Sequence, residues 1–162
     1  APLGCMAVSD PIAEHFKENV FWGGLTYNAH CLGLATAEAV IDVMQEEGLV
    51  ENAVRMGAVM RAHMQRMQDT HPSVRGFRQI GLFGMMDLQR DLNGTRMAPY
   101  NGTHPGMQAI GKHFRDNNLF TFVRWGSFMC NPPLCINEAQ LEEAFEIIDR
   151  GLTITDAAMD QP

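Results

Sequence analysis

The stretch that decides how this chain is interpreted is Phe21-Trp22-Gly23-Gly24-Leu25-Thr26-Tyr27-Asn28-Ala29-His30. It has aromatic residues at both ends, two adjacent glycines and a polar tip, and it directly precedes a long helical pattern. The glycines permit backbone conformations with positive φ and a close approach to a ligand. A threonine and main-chain N–H groups at the start of a helix can bind an anion. Two interpretations stay open: an anion site, or the commoner glycine-rich turn with buried aromatic side chains.

The bulk composition limits the class of protein. A chain of 162 residues predicts one domain, or one domain and part of another. The net charge of −7 and the scattered basic residues argue against a nucleic-acid partner. No apolar run approaches the roughly 18 residues of a membrane span. Cys5, Cys31, Cys130 and Cys135 lack zinc-like spacing, so we expect reduced, mostly buried thiols of a cytoplasmic protein.

The first half of the chain predicts an α/β segment followed by two long helices. Residues 3–8 read as a buried strand of a parallel sheet. Helices are expected over 11–18, 29–47 and 50–68. The third helix carries a methionine stripe, for which core packing is favoured over an adaptable binding face. The stripe consists of Met56, Met60, Met64 and Met67.

The second half predicts a compact α+β unit. We expect one strand over 74–88, in which Gly81 and Gly84 mark a bulge or a close neighbour. A loop over 91–103, a helix over 105–117 and two short strands over 119–124 and 128–130 follow. The last helix should begin with a capping box formed by Asn137 and Gln140. The helix near 29–47 would then connect the first body with the second.

Arg124 is the main candidate for chemistry that the pattern alone suggests. It lies at the end of a predicted strand, where its planar guanidinium could bind a carboxylate through two hydrogen bonds. The alternative is a surface arginine paired with a glutamate of the last helix. The six histidines are dispersed and give no metal-ligand spacing. Lys17 and Lys112, the two lysines, have carboxylates close by and do not suit a covalent catalyst.

Several motifs together resemble one known family. In chain order they are Pro2-Leu3-Gly4, the stretch from Trp22 to His30, Gly81-Leu82-Phe83-Gly84, Val123-Arg124-Trp125-Gly126 and Pro132-Pro133-Leu134. They resemble the C-terminal half of class III pyridoxal-phosphate aminotransferases, in particular the ω-amino-acid:pyruvate group that includes taurine and β-alanine transaminases. Each motif is weak alone, but the combination is specific and covers nearly the whole chain.

The resemblance implies a fold and a set of site residues. The fold would be α/β, the C-terminal part of a fold-type I transferase. Residues 1–47 would hold the last strand and helix of the large domain, the cofactor-phosphate loop and a bridging helix, and residues 48–162 the small α+β domain. In such a homodimer, Leu25 and Thr26 would bind the phosphate of pyridoxal phosphate in the partner's site. Arg124 would pair with the substrate carboxylate, and Trp22 would also contact the substrate.

The resemblance also implies what this chain lacks. The family's Schiff-base lysine lies just before the Pro-Leu-Gly segment, so we expect it before Ala1, in an N-terminal half of the same enzyme. The intact enzyme would move an amino group between an ω-amino acid or amine and pyruvate or a similar keto acid, and this piece alone would be inactive. One departure from the family is Cys31, which follows His30 where a proline is usual. The rival hypothesis is a non-catalytic α+β module that dimerises or binds a partner.

Overall fold

The computed structural model of the protein describes residues 3–160. The helices and strands follow in the order α1 (Asp10–Glu18), α2 (Cys31–Glu46), α3 (Leu49–Thr70), β1 (Val74–Ile80), β2 (Phe83–Leu88), α4 (Pro105–Asp116), β3 (Val123–Arg124), β4 (Ser127–Cys130) and α5 (Glu138–Ala157). The chain divides into two compact units, unit 1 (Ala1–Glu47) and unit 2 (Gly48–Pro162). None of the described helices is long and apolar enough to cross a membrane.

Unit 1 contains two helices, and the strand predicted over residues 3–8 is wrong for this chain. Pro11 occupies the first turn of α1, where its missing N–H costs nothing. Residues 3–8 are exposed and have no regular structure. A strand needs a neighbour for its N–H and C=O groups, and no described residue of unit 1 belongs to a strand. The apolar sequence therefore predicts a strand, but no other strand of the described part of unit 1 pairs with it.

The helix α2 leaves its apolar side chains exposed. Gly33 is the one buried residue among those described in unit 1. Leu32, Val40 and Val43, which the sequence places on one apolar face, are all exposed. An apolar face gains stability only when another surface covers it. Unit 1 thus has helical structure without a core of its own.

Unit 2 is built on a four-stranded antiparallel sheet with the order β1-β2-β4-β3. The single strand predicted over 74–88 is a hairpin, in which Ile80 pairs with Phe83 across a two-residue turn. Gly81 in this turn has φ +53°, a left-handed conformation that glycine tolerates. Ile80, Leu82, Met86 and Leu88 alternate in the sequence and so imitate one strand, but Ile80 is exposed whereas the other three are buried, because the face reverses across the turn. A bulge lies between Val74 and Gly76, and not at Gly81 or Gly84, where the sequence pattern suggests one.

The core of unit 2 lies where α5 packs against α3 and α4, α3 packs against β1, and α4 packs against β3. The inward side chains of β2 and β4 are buried and alternate with partly exposed ones, as in an antiparallel sheet with one solvated face. The methionine stripe of α3 is core, as the sequence predicts. Met60, Met64 and Met67 are fully buried, and Met56 packs against them from the edge.

The start of α5 confirms the predicted capping box. The Asn137 Oδ1 atom accepts a hydrogen bond of 2.9 Å from the Gln140 N–H, and the Gln140 Oε1 atom accepts one of 3.1 Å from the Asn137 N–H. Each bond satisfies an N–H group that the first turn of a helix leaves free.

A buried polar network, which the sequence does not reveal, ties the end of α3 to α5. The two ring nitrogens of His71 lie 2.6 Å from Asp156 Oδ2 and 2.7 Å from Asp149 Oδ1. The Ser73 hydroxyl donates to Asp156 Oδ1 over 2.6 Å, and it also lies 2.7 Å from the Thr155 hydroxyl. Residues 71 and 156 are distant in sequence, so the pattern along the chain cannot show that they meet.

We predict that Gly57→Ala destabilises unit 2. A Cβ at Gly57 would lie 2.8–2.9 Å from main-chain atoms of Gly81, so α3 and the hairpin turn would have to separate. Overpacking of this kind costs about 1–3 kcal/mol, which outweighs the roughly 1 kcal/mol that alanine gains over glycine in a helix. Urea unfolding followed by circular dichroism should show a lower midpoint.

Gly76→Ala is the matched control for this prediction. A Cβ at Gly76 would meet no atom within 4 Å, and the φ angle of Gly76 is not positive. Its free energy of unfolding should stay within about 0.5 kcal/mol of the parent value. A Gly57→Ala protein as stable as the parent would show that α3 and the turn do not constrain each other.

His63 should make the stability of unit 2 depend on pH. Its ring stacks on Phe145, and burial together with the Arg66 charge lowers the pKa of His63 below its ordinary value. The unfolded chain takes up the proton near pH 6.5, before the folded chain does, so stability is lost as pH falls through that region. The free energy of unfolding, measured from pH 8 to 5, should fall less for His63→Gln than for the parent. Identical pH profiles would contradict this assignment.

Candidate functional site

The glycine-rich stretch of unit 1 is exposed in this chain. The Trp22 side chain is 92% exposed and Leu25 is 74% exposed, while Phe21 and Tyr27 are also exposed. The interpretation as a turn with buried aromatic side chains is therefore wrong for the chain by itself. The exposed aromatic and aliphatic groups form an apolar surface that no described residue covers.

Thr26 opens a turn that leads into α2. The Leu25 carbonyl accepts a hydrogen bond of 3.1 Å from the Asn28 N–H, and the Tyr27 carbonyl accepts one of 3.3 Å from the His30 N–H. Ala29 has φ +55°, a conformation that a non-glycine residue adopts at a cost. This backbone redirects the chain within four residues and presents the Thr26 side chain at its start.

The turn offers hydrogen-bond donors without any negative charge. The Thr26 hydroxyl has no hydrogen-bond partner among the described residues, and His30 at the N-cap of α2 makes no side-chain cap bond. No aspartate or glutamate occurs between Glu18 and Glu38. Free N–H groups and the positive end of a helix attract anions. The turn is thus suited to a small anion such as a phosphate group.

Arg124 lies at the turn between β3 and β4, among aromatic side chains. The carbon atom of its guanidinium lies 4.4 Å from the ring centre of Trp125 and 5.9 Å from that of Phe122. Trp125 has φ +52°, and its ring centre lies 4.4 Å from that of Tyr100. A tryptophan in the left-handed region is strained, and such strain persists where the surroundings fix it.

Gly126 explains how this strained turn is held. Its carbonyl accepts a hydrogen bond of 2.7 Å from the Leu88 N–H. A Cβ at Gly126 would lie 3.2–3.3 Å from main-chain atoms of Leu88, Met97 and Ala98. The turn therefore sits directly on the end of β2, and only glycine allows this approach without a shift of its neighbours. This contact fixes the Arg124 backbone.

Arg124 does not form the ion pair with a glutamate of the last helix that the sequence leaves open as an alternative. None of the ion pairs formed by residues 3–160 includes Arg124, so no glutamate of α5 neutralises it. Instead, Arg124 borders two cavities. The sheet cavity, of about 310 Å³, also includes Arg78, Asp87 and Arg96. The helix cavity, of about 280 Å³, includes Thr103, Gln108 and Arg115 beside the start of α4.

Comparison with known proteins identifies the chain's relatives. The family model described as Aminotransferase class-III matches residues 1–152. This chain belongs to the class III aminotransferase family. The resemblance that the motifs suggest is thereby confirmed, and so is the mixed α/β fold of such enzymes.

Individual relatives agree with this family. The taurine:2-oxoglutarate aminotransferase of Bifidobacterium kashiwanohense, solved in complex with PLP and glutamate, superposes with a TM-score of 0.87 and 29% identity over 94% of this chain and 34% of that one. The ornithine aminotransferase of Rattus norvegicus is 29% identical over 93% of this chain and 31% of its own length. The putrescine–pyruvate aminotransferase of Pseudomonas aeruginosa is 26% identical over 98% of this chain and 34% of its own length. The class III chain thus spans about one third of the curated relatives it matches.

The lysines of this class III chain lie on helix surfaces. Lys17 Nζ is 2.6 Å from Glu14 Oε1, and Lys112 pairs with Asp116 one helical turn away. All four side chains are more than half exposed. A Schiff-base lysine needs a desolvated or cation-flanked site, which differs from these exposed positions beside a carboxylate. That neither lysine acts as a covalent catalyst stays a prediction.

The cysteines differ from the prediction. Cys5, Cys31 and Cys135 are exposed, and Cys130 alone is buried, so the expectation of mostly buried thiols is wrong. Burial raises the pKa of Cys130 to about 12, which keeps its thiol protonated and unreactive. Within residues 3–160 there is no group of three or more histidine, cysteine, aspartate or glutamate side chains that could hold a metal ion.

Proposed function

We propose that this chain is part of a pyridoxal-phosphate-dependent aminotransferase that moves an amino group between an ω-amino acid or amine and pyruvate or a similar keto acid. In this proposal, the chain supplies a cofactor-phosphate loop and a carboxylate-binding arginine. The observation that carries it is the Arg124 guanidinium, which stacks on Trp125 at the edge of two cavities without a carboxylate partner. A planar fork of donors in such a place suits a substrate carboxylate.

The turn at Leu25 and Thr26 fits the phosphate of the cofactor. Its free hydroxyl, its position before α2 and the absence of acidic residues around it all favour a bound anion. Pyridoxal phosphate, when bound, supplies the electron sink that amino-group transfer requires, while the protein binds and orients it. The role of this turn is therefore to hold the phosphate, through the Thr26 hydroxyl and main-chain N–H groups.

We assign the exposed apolar surface of unit 1 to a subunit interface. Trp22, Leu25 and Tyr27 are large and exposed, and α2 has an uncovered apolar face. Contiguous apolar surface of this kind marks a contact with another polypeptide. In a homodimer, the turn would serve the active site of the partner subunit, with Trp22 close to the substrate there.

Arg124 has a second property that suits two kinds of substrate. It borders both the sheet cavity and the helix cavity, and a stacked guanidinium on an exposed turn can change its rotamer at small cost. A carboxylate substrate would pair with it, whereas an uncharged amine would require it to turn aside. The enzyme would thereby accept amino acids and amines in one site.

The proposal places the catalytic lysine outside this chain, in an N-terminal half of the same polypeptide. Lys17 and Lys112 are exposed and paired with carboxylates. We predict that the 162-residue chain, incubated with pyridoxal phosphate, an amino donor and pyruvate, forms no alanine above background. Alanine measured by chromatography at a rate proportional to chain concentration would contradict this assignment of the lysine.

For the full-length enzyme, we predict that Arg124→Ala weakens carboxylate substrates selectively. The variant loses charge-assisted hydrogen bonds of about 1.5–3 kcal/mol, so kcat/KM for a carboxylate substrate such as β-alanine should fall by roughly 10- to 100-fold. The value for a simple amine such as 1-phenylethylamine should change by less than about threefold, because that substrate has no acid group to bind.

Two controls separate this role from a structural one. Arg75→Ala removes an exposed arginine that borders none of the described cavities and should leave both substrate classes unaffected. Thr26→Val should raise the concentration of pyridoxal phosphate needed for half-maximal activity with either substrate class. Equal losses on both classes for Arg124→Ala would rule out its carboxylate role.

The rival function is a non-catalytic module that dimerises through unit 1. The absence of a core in unit 1 and its exposed aromatic side chains favour an interface at this place. The upstream coding sequence discriminates between the two functions: a lysine-bearing domain in the same reading frame supports the enzyme. The predicted cytoplasmic location stays a prediction.

A further inference from the structure

The segment between β2 and α4 contains the tripeptide Asn-Gly-Thr twice, at residues 93–95 and 101–103. No other asparagine of the chain precedes a glycine. Asn93 and Asn101 are both exposed, and neither side-chain amide makes a hydrogen bond to any residue from 3 to 160. Since glycine has no Cβ, its main-chain nitrogen can closely approach the amide of the preceding side chain. Both copies therefore have the composition of a deamidation site.

Deamidation at such a tripeptide consumes only water. The main-chain nitrogen of the glycine attacks the asparagine Cγ, so a new N–Cγ bond forms while the bond from Cγ to the side-chain nitrogen breaks. The glycine N–H proton leaves with that side-chain nitrogen as ammonia, and a cyclic imide remains. Water then opens one of the two imide carbonyls, which yields aspartate or isoaspartate, and ammonia takes up the acid proton. No atom is oxidised or reduced.

At the second copy, the fold restrains the attacking nitrogen. The Gly102 N–H donates a hydrogen bond of 2.9 Å to the Pro99 carbonyl. A Cβ at Gly102 would lie 2.5 Å from Pro99 Cγ, so the proline ring lies directly against this glycine. Asn101 has φ +57°, which fixes the same turn in a left-handed conformation. The nitrogen of Gly102 can attack only after this hydrogen bond breaks and the turn opens.

At the first copy, the attacking nitrogen has more freedom. The distance from the Gly94 nitrogen to the Asp91 carbonyl oxygen is 3.3 Å, beyond the usual range of about 2.7–3.2 Å for such bonds. A Cβ at Gly94 would meet its nearest atoms at 3.8 and 3.9 Å, and both belong to the long side chains of Arg75 and Gln89. No ring lies against this glycine as Pro99 does against Gly102.

We propose that Asn93 is a modification site, at which the folded protein deamidates spontaneously, and that the turn at Pro99 protects Asn101 from the same reaction. The amide is followed by glycine and threonine in both copies, so the local chemistry gives them similar reactivity. The difference in rate comes from the fold. This inference concerns unit 2 alone and does not depend on the proposed aminotransferase activity.

The reaction at Asn93 changes a loop that is closed by local hydrogen bonds. Asp91 Oδ1 accepts hydrogen bonds of 2.9 Å from the Asn93 N–H and 3.1 Å from the Thr95 N–H. Isoaspartate places one more carbon atom in the main chain between these two donors, so the spacing that lets both reach one oxygen is lost. Either product also adds a negative charge near Asp91, in a chain whose net charge is already −7.

Peptide mapping of the 162-residue chain tests the order of the two rates. Trypsin separates the copies, because cleavage after Arg90, Arg96 and Lys112 gives the peptides 91–96 and 97–112. After incubation of the folded chain in mildly alkaline buffer, mass spectrometry measures the exchange of an amide NH2 for OH in each peptide. Asn93 should react at least about threefold faster than Asn101, a factor typical of one hydrogen bond that must break first.

Two controls show whether the fold causes this difference. In concentrated urea neither turn persists, so the two rates should differ by less than about threefold. In the folded Pro99→Gly variant, which lacks the ring and has a more mobile turn, the rate at Asn101 should rise by at least about threefold. The rate at Asn93 in the same variant should stay at the parent value, which excludes general unfolding as the cause.

Three results would overturn the inference. The first is a rate at Asn93 in the folded chain that exceeds the rate at Asn101 by less than threefold. The second is an equally large difference in urea, which would assign it to the preceding residues Leu92 and Tyr100 rather than to the fold. The third is an Asn101 rate that rises by less than threefold in Pro99→Gly, which would remove the protective role of this turn.

Discussion

The contact that the candidate site depends on is the hydrogen bond from the Leu88 N–H to the Gly126 carbonyl. It places the β3–β4 turn against the end of β2, so closely that a side chain at residue 126 would press on main-chain atoms. Trp125 then takes a left-handed conformation, and its indole becomes the surface on which Arg124 stacks. A main-chain constraint inside the sheet thus determines where a flexible, charged side chain can work.

Local patterns along the chain predict much of unit 2. The methionine spacing of α3 and the Asn137 capping box depend only on residues within one helix, so the sequence contains all that is needed to recognise them. The sequence also indicates Arg124 as a candidate site residue, because it lies next to Trp125 and Gly126 at the end of a predicted strand. The hairpin at Gly81 is missed because apolar residues happen to alternate through the turn, although the side chains before and after it face opposite sides of that pattern.

Local sequence patterns cannot predict features that depend on the register of two strands or on a neighbouring segment. Asp87 accepts a hydrogen bond from Ser127 in the β2–β4 register, and this partner lies 40 residues further along the chain, where a local pattern cannot reveal it. Residues 3–8 have the composition of a strand, yet a strand forms only against another strand. The same holds for the loop at Trp22: its apolar composition predicts buried side chains, but none of residues 3–160 covers them.

The core of unit 2 is rich in methionine, so its packing is sensitive to oxidation of these side chains. Met60, Met64, Met67, Met86 and Met97 are all fully buried. While the unit is closed, oxidants in solution have no access to these sulfur atoms. Each transient opening exposes them, and conversion to the polar sulfoxide prevents the same packing from re-forming. Oxidative stress therefore turns a reversible fluctuation of this core into lasting damage, unless a reductase restores the side chain.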